Sequence, residues 1–274
     1  MTRKMIITEL KKHGYEASAH TTIKNGVEFH GICISTGTNI APVIYTDDLI
    51  HHAEANGLGL DDVVAKIIDI YESNRTLDFD IQTLYDTDFL KSHLFIGMQK
   101  KSDAPLVKRP CDFDGIECYL YIQGNEMNDG SYSIRVTEHL LEQTGLSEVE
   151  AWKYAEDNTK CEATIQSMGM VIAELMGLEY TEDMDEISPL YVVSNHRKFN
   201  GASSILNKEM LSEFATEHNT NRIVVFPSSI HEMMILPHVE DISIDEYSAM
   251  VGEINCSQVR PEERLTDRAY IINF

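Results

Sequence analysis

The sequence predicts an α+β protein built from antiparallel β-hairpins, each followed by helices. Three observations carry this. Asn25-Gly26, the strongest two-residue hairpin signal because both positions tolerate positive φ, lies between two apolar-patterned runs. Leu60, Val63, Val64, Ile67, Ile68 and Tyr71 fall on one face of a helix. The order of hairpin and then helices recurs twice further along the chain.

The elements follow in order. Thr2 to His13 places Met5, Ile6 and Leu10 among lysines, which suits a short amphipathic helix. Tyr15 to Lys24 and Val27 to Ser35 are the strands of the first hairpin, with a bulge expected at Gly31, where the apolar phase changes. Thr36-Gly37-Thr38 turns the chain into a strand over 39–45, and Thr46-Asp47-Asp48 is a capped helix start. The second hairpin comprises Glu117 to Ile122, the turn Asn128-Asp129-Gly130 and Ser131 to Val136, with helices after it to Asn158. The third runs from Arg222 to Phe226, turns at Ser228-Ser229, returns over Ile230 to Leu236 and leads to a helix ending near Asn255. Ser147-x-x-Glu150 and Ser243-x-x-Glu246 are capping boxes.

An internal hairpin-helix repeat is therefore expected. Residues 99–110 and 181–189 read as loops or linkers. A helix over Cys161 to Met176 would bury Ile165, Met168, Ile172, Leu175 and Met176. Asn207 is expected to cap a further helix, and Ala269 to Phe274 to close the chain as a strand. An N-terminal α+β unit over 1–90 and an acidic α+β domain over 91–274, containing the other two hairpin-helix units, are the expected domains.

Composition narrows the function classes. The net charge is −23 over 274 residues. Residues 1–110 carry 12 Lys/Arg against 15 Asp/Glu, whereas 111–274 carry 10 against 30, so the acid belongs to the C-terminal part. Such a balance repels nucleic acid and anionic membrane, whose binding depends on Lys and Arg. Neither a signal-peptide run at Met1 to Gly14 nor a bilayer-length apolar stretch is found, so a cytoplasmic location and no membrane partner are expected. Five cysteines without a C-x-x-C pair suggest reduced thiols rather than a disulfide framework or zinc site. His51, His52 and Glu54 lack a third ligand, and no metal or cofactor is expected.

Pro189 to Pro237 holds the densest mix of apolar strand signal and placed polar residues. Ser228, Ser229, His231 and Glu232 supply a hydroxyl, an imidazole and a carboxylate, the inventory of an activated nucleophile. Their closeness in sequence favours the commoner reading, a polar turn, because neighbours on one strand do not easily form two aligned successive hydrogen bonds. Asn195, His196, Arg197 and Asn200 form a cationic loop after an apolar strand, suited to an anionic ligand, with a solvated loop as the commoner reading.

Trp152-Lys-Tyr-Ala-Glu-Asp-Asn-Thr159, Tyr191-Val-Val-Ser-Asn195 with Asn200-Gly-Ala202, and Phe226-Pro-Ser-Ser-Ile-His-Glu232 are distinctive. On these segments the chain resembles a family of uncharacterised bacterial proteins, a domain of unknown function, over most of its length. The resemblance implies one family and brings no activity, cofactor or site residue. The function expected from the residues is a non-enzymatic binding or interaction protein whose acidic C-terminal surface meets a protein partner. The alternatives are a hydrolase using His231 and Ser228 or Ser229, with Glu232 or Arg197 assisting, and a nucleic-acid mimic.

Overall fold

The computed structural model describes residues 1–35, 43–74, 81–125, 131–239 and 242–274. The chain divides into two compact units, Met1–Thr83 and Leu84–Phe274. Both combine helices with antiparallel sheets, as the sequence predicts.

In the first unit, α1 (Arg3–Lys12) starts at Thr2, whose hydroxyl accepts from the Met5 amide, and ends with Lys11 and Lys12 at its negative pole. Strands β1 (Ala17–Lys24) and β2 (Val27–Ile34) form the hairpin, with Asn25 and Gly26 at φ 48° and 84°. Strand β3 (Val43–Tyr45) pairs with the free side of β2. The bulge expected at Gly31 does not form, because β1 and β2 pair without a break from Ala17↔Ile34 to Lys24↔Val27. Gly31 instead gives room to β3: a Cβ there would lie 2.7 Å from Val43 Cγ1. Thr36-Gly37-Thr38 and the first part of the strand expected over 39–45 lie outside the described residues.

Thr46 does not cap α2 (Asp47–Asn56); its hydroxyl donates to the His30 carbonyl at 3.1 Å. The stripe on α3 (Leu60–Asn74) packs as predicted. Val63, Val64, Ile67 and Tyr71 are buried against Ile6, Leu10, Ile32 and Ile34.

The second unit contains two sheets. In one, β6 (Ile116–Asn125) is flanked by β4 (Leu94–Lys100) on one side and by β5 (Lys108–Pro110) and β7 (Ser131–Arg135) on the other, all antiparallel. The turn expected at Asn128-Asp129-Gly130 lies outside the described residues. The stretch read as a linker, 99–110, contains β5 and is tied down by a buried network. Glu117 Oε1 accepts from Gln99 Nε2 at 2.8 Å, Ser102 Oγ at 3.0 Å, the Ser102 amide at 3.1 Å and Lys108 Nζ at 3.3 Å. Lys108 also donates to the Ser102 carbonyl. Local composition could not show this, because the partners come from three separate stretches.

After α4 (Thr87–His93) and α5 (Glu138–Thr144), α6 (Glu148–Glu162) begins in the predicted capping box of Ser147 and Glu150. The Trp152 to Thr159 segment fastens α6 to β4. Asn158 Nδ2 donates to the carbonyls of Lys91 and Leu94, and the Ile96 amide donates to Thr159 Oγ1 at 3.0 Å.

The helix expected over Cys161 to Met176 is divided. Residues Ala163–Ser167 form β8, which pairs with β9 (Tyr191–Asn195), and the chain re-enters a helix, α7 (Met168–Met176), capped by Ser167. Sheet pairing overrides the helical spacing there. As a result Leu175 and Met176, expected in the core, are 79% and 66% exposed.

The second sheet has the strand order β12 (Tyr270–Asn273), β10 (Arg222–Phe226), β11 (Met233–Pro237), β9, β8, every pair antiparallel. Helix α8 (Lys208–Glu217) is capped by Asn207, and α9 (Ile244–Gln258) opens in the predicted Ser243 and Glu246 box. Tyr247 and Val251 of α9 pack with Val224 and Phe226. The return strand of the third hairpin begins at Met233 rather than Ile230. The Ile230 amide donates to the Glu263 carbonyl at 2.8 Å, and its own carbonyl accepts from Ala202, so tertiary partners take the groups a ladder would use. No helix among the described residues is long and apolar enough to cross a membrane.

Candidate functional site

The loop after β9 and the segment before β11 are brought together. Ser194 Oγ donates to the His231 carbonyl at 2.9 Å, the Asn200 amide donates to His231 Nδ1 at 3.2 Å, and the Phe199 and His231 rings lie 5.4 Å apart. Between them passes the 3-10 turn Gly201–Leu206, buried from Gly201 through Ile205. A Cβ on Gly201 would collide with Ser194 Oγ and lie 2.7 Å from both the Asn195 amide nitrogen and the His231 carbonyl oxygen. A glycine is required here by contact, not by backbone angle.

Each candidate side chain has a definite place. Asn195 is buried and closes its own loop: Nδ2 donates to the Phe199 carbonyl at 2.9 Å, and Oδ1 accepts from the Phe199 amide at 3.2 Å. This brace holds Lys198 and Asn200 at φ 53° and 52°, a region that asparagine tolerates better than lysine does. His196 is exposed. Arg197 lies 4.1 Å over the Phe95 ring, and its Nη2 is 2.7 Å from Glu162 Oε2, a close charge contact. Lys198 is 2.6 Å from Glu174. The cations of this loop therefore already face carboxylates. Asn200 is buried, with its side chain towards the Tyr121 hydroxyl, whose pKa burial pushes up.

Ser228 and Ser229 are both 3% exposed. Ser229 Oγ accepts from the His231 amide at 3.0 Å, the short-range bond of a serine-stabilised turn. The Ser228 carbonyl accepts from the Leu265 amide, and Ser229 bridges to Arg264. His231 is half-buried; with Nδ1 accepting from Asn200, the ring proton belongs on Nε2, which lies 3.7 Å from Glu263 Oε1. Glu263 was missed in the sequence, since nothing in its neighbourhood marks a carboxylate that reaches back across more than thirty residues.

Glu232 is half-buried. Burial foremost, and then the Glu263 carboxylate, raise its pKa, while His231 acts the other way. The folded state thus binds the proton more tightly than the unfolded chain does. Its contribution to stability declines as pH rises from the ordinary carboxyl range through the raised folded value. Glu232→Gln is expected to raise the melting temperature at neutral pH, with the gain vanishing in acid where Glu232 is protonated in both states. A pH series of melting curves on both proteins checks this, and a loss of stability at neutral pH would contradict it.

A separate cavity of about 340 Å³ in the same unit is lined by Arg109, Cys111, Cys118, Lys160, Ser203 and Lys208 among others. Sequence reading missed it. The spacing of two cysteines either side of the Gly115 turn was its only signal. Among the described residues no group of three His, Cys, Asp or Glu side chains could hold a metal ion.

The architecture is that of an α+β protein whose second unit packs its polar loop residues largely against one another. The model of a family of unknown function, DUF5688, matches residues 2–273, and the chain belongs to that family. No curated protein and no solved structure matches the chain.

Proposed function

We propose that this is a non-enzymatic binding protein that receives a basic amphipathic segment of a partner protein on the exposed end of α7. The observation that carries the reading is an apolar patch with an acidic rim. Leu175, Met176 and Leu178 are 79%, 66% and 51% exposed. Glu179, Glu182, Asp183 and Glu186 are exposed beside them, and none has a cationic partner among the described residues. The 3-10 turn Glu182–Ile187 is held against α7 at Gly169, where a Cβ would lie 2.8 Å from the Met184 carbonyl carbon.

Covering a large apolar side chain is worth about 1.5–3 kcal/mol. Flexible methionine and leucine side chains suit the apolar face of a partner helix, and the carboxylates would steer a positively charged one. The hydrolytic alternative requires a serine hydroxyl on the imidazole. Among the described residues neither the Ser228 nor the Ser229 hydroxyl bonds to the His231 ring, whose Nδ1 accepts from the Asn200 amide, which supports binding over hydrolysis.

The test is calorimetric titration of the full chain with an amphipathic helical peptide of leucine and lysine. Binding that weakens with salt and falls by about tenfold or more in Leu175→Ser/Met176→Ser is expected. Binding untouched by those substitutions but lost on neutralising the carboxylates would favour the nucleic-acid mimic. Absence of binding would overturn the reading.

A further inference from the structure

The cavity between β5, β6, α6 and α8 holds two thiols that the binding reading does not use. Cys111 directly follows β5 and Cys118 lies in β6, opposite Arg109; Cys111 is two residues beyond that pairing, so both thiols belong to one side of the strand pair. The turn between them closes through Gly115 at φ 78°, and Cys111 Sγ lies 3.5 Å from the Ile116 carbonyl. Cys118 is fully buried and Cys111 half-exposed, an arrangement of one accessible and one sheltered sulfur. Both line the cavity.

The charges around it are unusual for a chain so acidic. Arg109, Lys160 and Lys208 reach the cavity wall together with the carboxylates of Asp112 and Glu156, three cations against two acids. Arg109 is paired with Glu156 at 2.6 Å and Lys208 stands 3.8 Å from Asp112, while Lys160 has no carboxylate partner among the described residues. The Cys118 thiol beside it lowers Cys111 to about 7, whereas contact with Cys111 and burial push Cys118 up. Cys111 therefore gives up its proton more readily than an ordinary thiol, and Cys118 less readily.

We propose that Cys111 and Cys118 are a thiol–disulfide exchange pair, with Cys111 attacking and Cys118 resolving, and that the cavity admits an anionic low-molecular-weight disulfide. The Cys111 thiolate attacks one sulfur of that disulfide, its S–S bond breaks, and one thiolate leaves to be protonated by solvent. Cys111 then carries a mixed disulfide, and the charge that held the Cys118 proton is gone. Cys118 loses its proton and attacks Cys111 Sγ; the mixed disulfide breaks and the second small thiol departs. The two protein thiols are oxidised to one disulfide while the small disulfide is reduced to two thiols. The lysines and arginine supply the attraction for carboxylates on the incoming molecule.

The experiment exposes the reduced full chain to oxidised glutathione, quenches by alkylation and maps the products by peptide mass. In the unaltered chain Cys111 is expected to be consumed at least about tenfold faster than the exposed Cys161 and Cys256, ending in a Cys111–Cys118 disulfide. Cys118→Ser should trap glutathione on Cys111, and Cys111→Ser should leave Cys118 reduced. Cystamine, a cationic probe, should react more slowly than glutathione disulfide. Reaction at Cys161 or Cys256 ahead of Cys111, or a stable mixed disulfide on Cys111 in the unaltered chain, would overturn the pair. An equal or faster rate with cystamine would overturn its anionic substrate class. The comparison of rates within the unaltered chain needs no variant to fold.

Discussion

Gly201→Ala is expected to be among the most damaging single substitutions in the chain, costing about 3 kcal/mol or more. The added methyl group would meet Ser194 Oγ, the Asn195 amide nitrogen and the His231 carbonyl oxygen together. Two of these are backbone atoms on different segments, so no rotamer change relieves the contact. To make room, the 3-10 turn would have to move away from β9, breaking the Ala202 to Ile230 bond, or Ser194 and the His231 carbonyl would have to part and lose theirs. Denaturant unfolding should show a lower midpoint with little change in slope. A midpoint within experimental error of the unaltered protein would mean that the turn does not sit as tightly as these distances require.

Glu117→Ala is expected to cost about 3 kcal/mol, for an electrostatic reason. Its carboxylate, 7% exposed as a residue, is the shared acceptor of Gln99, Ser102 and Lys108. Removing it leaves an ammonium whose side chain is only 25% exposed without its carboxylate and, like the buried Gln99 amide, with Ser102 alone as acceptor. For a unit of this size the melting temperature should fall by about 10 °C. Glu117→Gln should cost less, because one oxygen acceptor remains. The double variant Glu117→Gln/Lys108→Met should recover much of the loss, since a neutral site no longer strands a charge. Equal losses in Glu117→Ala and the double variant would point to a packing defect rather than to an unpaired cation.

These two positions show how unevenly the molecule was legible. Glu117 in sequence is an ordinary acid in a strand, and Gly201 is part of an Asn-Gly pair that reads as a turn. The importance of each comes from groups far away in sequence: Lys108 and Gln99 for one, Ser194 and His231 for the other. The candidate residues after β9 and before β11 stand out in the sequence because their chemical inventory is dense. Their meeting at Asn200 and His231 depends on β9 and β11 being neighbours in the sheet, although some forty residues separate the two strands. Cys111 and Cys118 read as ordinary thiols because a lone cysteine carries no local pattern, and only the pairing of β5 with β6 brings both to the wall of one cavity.

What the sequence determined by itself is whatever short-range physics decides. The Asn25-Gly26 turn, the stripe on α3, the two capping boxes and the α+β class follow from residues within a few positions of one another, where periodicity, capping and positive φ act directly. The tertiary structure alone decided the division of the 161–176 helix, the unbroken strand at Gly31, the late start of β11 and the uncovered end of α7. In each of these a partner remote in sequence supplied a hydrogen bond, a contact or an empty face that outweighed local preference. Hydrogen-bond pairing and steric exclusion between distant segments have no signature in the spacing of neighbouring residues.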